Sequence, residues 1–195
     1  MSFKYKLIQP PYALNFRLLD KKQADEFSQW FVAQIPERIT ELSQYVKSTP
    51  GFEGWDANLA PDSLDDLGNW FFSHVQTRPR SAQEKKDMMN SISPALFKQI
   101  GIADYDISGL TVSICSDVGM YFCPMLMRDV KGLRWEVVTG PKNSVDFHMP
   151  VLRGNKLAFN PIQLLTSFAY GVASGVKRAK DLRDLYETWV YFLQQ

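Results

Sequence analysis

Arg134, Glu136, Asp146 and His148 put a guanidinium, two carboxylates and an imidazole into one short stretch, "GLRWEVVTGPKNSVDFHMPVL". Carboxylates and imidazole are the ligand types of a divalent metal and the partners of an acid–base pair. A hairpin would gather them. Leu133, Trp135 and Val137 alternate with Arg134 and Glu136, and Val145, Phe147 and Met149 alternate with Asp146 and His148. Period two then sends the apolar set to one face and the quartet to the other. A three-residue loop, Pro141-Lys142-Asn143, lets apolar residues meet across the ladder. It pairs Val137 with Phe147, Trp135 with Met149, and Glu136 with His148. Neighbouring pleats would hold these groups within about 5–8 Å. Opposite charges facing each other also make an ordinary solvated sheet, and that is the reading preferred: a surface able to bind, with no catalytic residue, metal or cofactor assigned.

Asp117 poses the sharper question. Ser113, Ser116 and Asp117 form a polar strip on a segment that otherwise reads as core, and an unpaired buried carboxylate is costly. Either Asp117 closes an internal ion pair or anchor, or it floors a polar pocket. Cys115 and Cys123, eight apart in the same segment, would lie about 12 Å apart along a helix, too far for a disulfide. They read as buried thiols of a reducing compartment, and no nucleophile motif surrounds them. His74, in "FFSHV", reads as a helix-surface residue. The chain has no Gly-rich phosphate loop, CxxC pair, HExxH or GxSxG.

The elements that must position these residues are legible in part. Asp20 with Gln23 makes a capping box for "KKQADEFSQWFVAQI", and Pro36 is expected to begin a second helix. Ser63 is expected to cap a helix whose Leu64, Leu67, Trp70, Phe71 and Val75 share a buried face. "FSQWFVAQI" from Phe27 and "LGNWFFSHV" from Leu67 echo one another, either as a duplication or as two helices meeting one core. Residues 77–100 read as an exposed excursion carrying short helices. A long helix over about 109–130 should be the central buried rod, kinked by Pro124 and stopped by Gly132. The hairpin (about 133–149) follows, with a third strand after the Gly154-Asn155 turn. Asn160 and Pro161 open one C-terminal helix. Gly175 interrupts, and a last helix aligns Leu182, Leu185, Trp189 and Leu193. The expected class is α+β: one domain, with a small antiparallel sheet among several helices.

Bulk properties narrow the function. Lys and Arg number 22 against 21 Asp and Glu, so the chain lacks the basic excess of a nucleic-acid binder. The most apolar run holds Asp117, which costs about 2.5–3.5 kcal/mol in a bilayer, and no membrane role is expected. No signal peptide is evident, and the expected compartment is the cytoplasm.

Taken in order, "PDSLDDLGNWFF", "DVGMYFCPML", "GLRWEVVTGPKNSVDFHMPVL" and "FNPIQLL" resemble a loose group of small bacterial cytoplasmic proteins, some of them immunity or accessory proteins near toxin loci. In that group a small residue is common where Cys123 stands. The resemblance spans about Pro61–Leu165. It implies a protein-binding role with no partner identified and no residue roles to carry over. Three functions are expected in order. First comes a non-enzymatic protein-binding or immunity/accessory protein, with another protein as partner and room for a homo-oligomer. A small-molecule or metal-dependent enzyme with a polar pocket near Asp117 is second. A structural subunit of a larger assembly is third.

Overall fold

In the computed structural model residues 3–91 and 103–195 are described. The chain is α+β, with six α-helices and two small antiparallel sheets among those residues. An irregular N-terminal run ends in a short 3-10 turn, Phe16–Leu18. Helix α1 (Lys21–Lys47) follows, opened by Asp20, whose side chain accepts from Gln23 N while Gln23 returns a bond to Asp20 N. Pro36 does not start a second helix. It lies inside α1, because Phe27 and Phe31 before it and Leu42 and Val46 after it are all buried on one continuous stripe. That burial outweighs the roughly 3 kcal/mol an internal proline costs.

Helix α2 (Ser63–His74) begins one residue earlier than expected, since Ser63 is helical and its hydroxyl donates to Ala60 O. Its Leu64, Leu67, Trp70 and Phe71 join the main core, whereas Phe27 and Phe31 of the echoing segment belong to a second cluster with Met120 and Met149. The two echoing segments thus feed separate clusters, although Leu42 and Val46 at the far end of α1 rejoin the main core. Strand β1 (Thr77–Pro79) pairs antiparallel with β2 (Tyr105–Ile107), a ladder no alternation announced. Between them stands α3 (Ala82–Ser91). The rest of the expected excursion, 92–100, lies outside the described residues.

Helix α4 (Gly109–Asp129) is the rod the sequence predicted, capped by Ser108 and buried along most of its length. It is long and apolar enough to cross a membrane, but 78% of that stretch is covered by the rest of the fold. The helix ends at Asp129 with Val130 as its C-cap, ahead of the expected stop, and Gly132 turns the chain beyond it with φ +82°, a conformation glycine adopts at no steric cost. Strands β3 (Arg134–Val137), β4 (Pro150–Arg153) and β5 (Ala158–Phe159) form the second sheet in that order. Helices α5 (Pro161–Ala173) and α6 (Asp181–Gln194) complete the chain.

The hairpin register departs from expectation. Trp135 pairs with Leu152 and Val137 with Pro150, so the partner strand lies three residues beyond the expected one. Residues 141–149 curl instead, through Ser144 N to Pro141 O, Phe147 N to Ser144 O and Met149 N to Asp146 O. The reason is burial on β4: Pro150, Val151 and Leu152 are all interior. A strand buried on both faces has no alternation to betray its register. The third strand is present, with Leu152 opposite Phe159.

α4 and α5 meet closely at Gly119. A Cβ there would sit 2.6 Å from the Pro161 carbonyl oxygen, with backbone on the far side that cannot move cheaply. Gly119→Ala should therefore lower stability by about 1–3 kcal/mol in urea unfolding, despite alanine's better helix propensity. An unchanged midpoint would mean that α5 stands further from α4 than described.

Candidate functional site

Asp117 is completely buried on α4. Arg38 of α1 clamps it with two parallel bonds, Nε to Oδ1 and Nη2 to Oδ2, both 2.7 Å. The Tyr5 hydroxyl also donates to Oδ2 and accepts from Arg38 Nη2 at 2.9 Å. Ser113 completes the socket: its Oγ lies 3.2 Å from the Tyr5 hydroxyl and accepts from Ile8 N at 2.7 Å. Lys6 N donates to the buried Glu41 carboxylate at 2.6 Å. Tyr5 stacks on Tyr45 at 4.8 Å, and the Arg38 guanidinium carbon lies 5.3 Å from the centre of the Tyr5 ring. The polar strip is thus consumed in pinning the N-terminal run across α1 and α4. Ser116 stays outside the socket, its hydroxyl bonded to Val112 O of its own helix.

Of the two readings of Asp117, the geometry is that of an internal ion pair. Arg38, Tyr5 and Glu41 went unmarked in the sequence, yet Arg38 had a signal. It falls seven residues after Phe31 and four before Leu42, on the buried stripe of α1. A charged residue on such a stripe demands an opposite charge inside.

Burial raises the Asp117 carboxyl to about 6, against Arg38 and Tyr5, which pull it down. Burial and the neighbouring Asp117 carboxylate push the Tyr5 phenol upward, so it stays a donor. Both thiols are buried, free and pushed upward by that burial. A nucleophilic cysteine needs the opposite shift.

The quartet of the expected hairpin is not brought together. Glu136 bonds Arg153 at 3.2 Å, with Arg134 at 3.7 Å, on the exposed face of β3–β4. Asp146 accepts from Asn160 Nδ2 at 2.7 Å, while Asn160 Oδ1 caps α5 through Ile162 N and Gln163 N. His148 has φ +63°, is buried, and places Nδ1 2.9 Å from Leu19 O. His74 is half-buried, stacked on Trp70 at 4.4 Å. Among the described residues no three His, Cys, Asp or Glu are placed to hold a metal ion.

The largest opening at the socket lies on its outer side. A cavity of about 770 Å³ is lined by residues 4–9 on one wall and by Gln34, Glu37 and Arg38 of α1 on the other. Tyr5 and Arg38 form its floor, with Asp117 hidden behind them. Comparison with known proteins returns no family description, curated protein or solved structure that matches this chain.

Two outcomes test the socket. Folded Asp117 holds its proton more tightly than the unfolded chain does, so this stabilisation is complete below the ordinary value of 3.8 and lost as pH rises through about 6. The Asp117 carboxyl carbon, followed by NMR, should titrate near pH 6; a midpoint below 4 would show that Arg38 dominates over burial. Tyr5→Phe removes a donor to Asp117 and an acceptor for Arg38, and should cost about 1–3 kcal/mol. Hydrogen exchange at the Lys6 and Ile8 amides should quicken in that variant ahead of the helices.

Proposed function

We propose that this chain is a protein-binding module, of the immunity or accessory kind, that receives its partner in the cleft between residues 4–9 and α1. The supporting observation is the makeup of that cleft. One wall is the N-terminal run, the other a single helix, and the one deep charge, Arg38, is already matched by Asp117. Such walls offer shape and hydrogen bonds. The free buried thiols favour the cytoplasm as its compartment. A small-molecule site is the second reading, favoured by volume alone, since about 770 Å³ falls within the usual size of ligand pockets.

Blocking the cleft tests both readings. Gln34→Trp, introduced on a half-buried position of its helical wall, should leave the melting temperature nearly unchanged. A partner captured by the wild-type chain should be lost from the variant; equal capture by both would reject the cleft as the docking surface. In a panel of metals and metabolites, a rise in melting temperature that Gln34→Trp abolishes would favour the second reading instead.

A further inference from the structure

From Phe3 to Pro10 the chain runs with no turn or bend. Among the described residues, the Lys6 and Ile8 amides are the only ones within 4–9 that are bonded, to Glu41 and Ser113, no backbone bond joins this run to any other segment, and its carbonyls accept none. A straight main chain with free donors and acceptors is the template on which an added strand forms. The open cleft runs beside it.

Charge selects what would lie there. Lys4, Lys6 and Arg38 line the cleft against one carboxylate, Glu37. Arg38 is 5% exposed and spends Nε and Nη2 on Asp117 and Tyr5. Among the described residues its Nη1 makes no bond, and no buried side-chain nitrogen or oxygen there lacks a partner, so Nη1 faces solvent, and the cleft is the opening that Arg38 lines. Its two hydrogens are held in place by the Asp117 clamp, with little side-chain entropy left to lose. Leu7, half exposed on the same wall, offers an apolar contact between the charges.

We infer that the cleft takes an extended, acidic segment of another protein, added as a strand along residues 4–9, with a carboxylate on Arg38 Nη1 and others facing Lys4 and Lys6. The inference rests on the cleft being the docking surface and adds the chemistry of what docks. Main-chain bonds would supply affinity, and the two lysines, with the Arg38 donor to orient a carboxylate, would choose the partner and speed its approach.

The test uses fluorescein-labelled nonapeptides in which valine alternates with glutamate, serine or lysine, added to the intact chain at low salt. The glutamate probe should bind at least about ten-fold more tightly than the lysine probe, and weaken as salt rises. It should shift the amide signals of Tyr5, Leu7 and Gln9, and lose affinity when its alternate amides are N-methylated. The double variant Lys4→Glu/Lys6→Glu, on exposed side chains that leave the fold intact, should abolish the preference. Equal binding of serine and glutamate probes, with those amide shifts, would overturn the acidic assignment and leave the cleft as a docking surface. Retention of affinity after N-methylation would overturn strand addition. Absence of amide shifts with every probe would overturn the whole inference, while capture lost in Gln34→Trp would separately keep the cleft.

Discussion

The pair between Arg38 and Asp117 is the interaction on which the rest of the molecule depends. It joins the two longest helices among the described residues, inside the fold. Taking two charges out of water costs several kcal/mol each, and only parallel bonds with every remaining donor satisfied recover it. Tyr5 adds one bond to each partner and is itself held by Ser113, while Arg38 Nη1 is left to the cleft. The pair thus fixes register more than it adds stability. α1 and α4 cannot slide by a turn without stranding a charge, and the N-terminal run cannot lift away without exposing one. Apolar packing alone would tolerate several arrangements of such helices.

Around that fixed point the packing is hierarchical. α4 passes between two clusters, one gathering α2, α5, α6 and the C-terminal half of α1, the other gathering the front of α1 with Met120 and Met149. Gly119 lets α5 approach at backbone distance. Asp146 and His148, which the sequence marks as chemistry, serve this packing instead. Asp146 orients the amide that caps α5, and His148 ties its loop to the carbonyl of Leu19 before α1. His148 is buried and Asp146 half-buried, and their bonds run to different partners, so they do not meet at a common point.

The same economy shapes the surface reading. Among the described residues the polar side chains buried among the helices are committed to partners, so the groups left at the cleft are peripheral: alternate amides of the N-terminal run, the exposed Lys4 and Lys6 side chains and one nitrogen of Arg38. A side chain that is buried, oriented and yet has one donor left over is pre-organised for an acceptor arriving from outside. Because Arg38 is held by Asp117, the element that organises the core also shapes the floor of the cleft.

Local sequence determined the elements whose signals are local. The capping box at Asp20, the cap and proline at Asn160-Pro161, the buried rod after Ser108 and the turn at Gly154-Asn155 depend on residues a few positions apart. Those signals needed nothing from elsewhere. The sequence also marked Asp117 as a charge that required an answer, because burial makes an unanswered carboxylate untenable. Tertiary structure decided what the answer was: Arg38 and Tyr5 lie 79 and 112 residues away, and no spacing rule spans that gap. It also decided the register of β3 on β4. Pro150, Val151 and Leu152 are interior together, so alternation favoured Val145 to Met149 while burial selected the strand beyond. Pro36 shows the same ordering of forces, a local break overridden because the helix is buried on both sides of it.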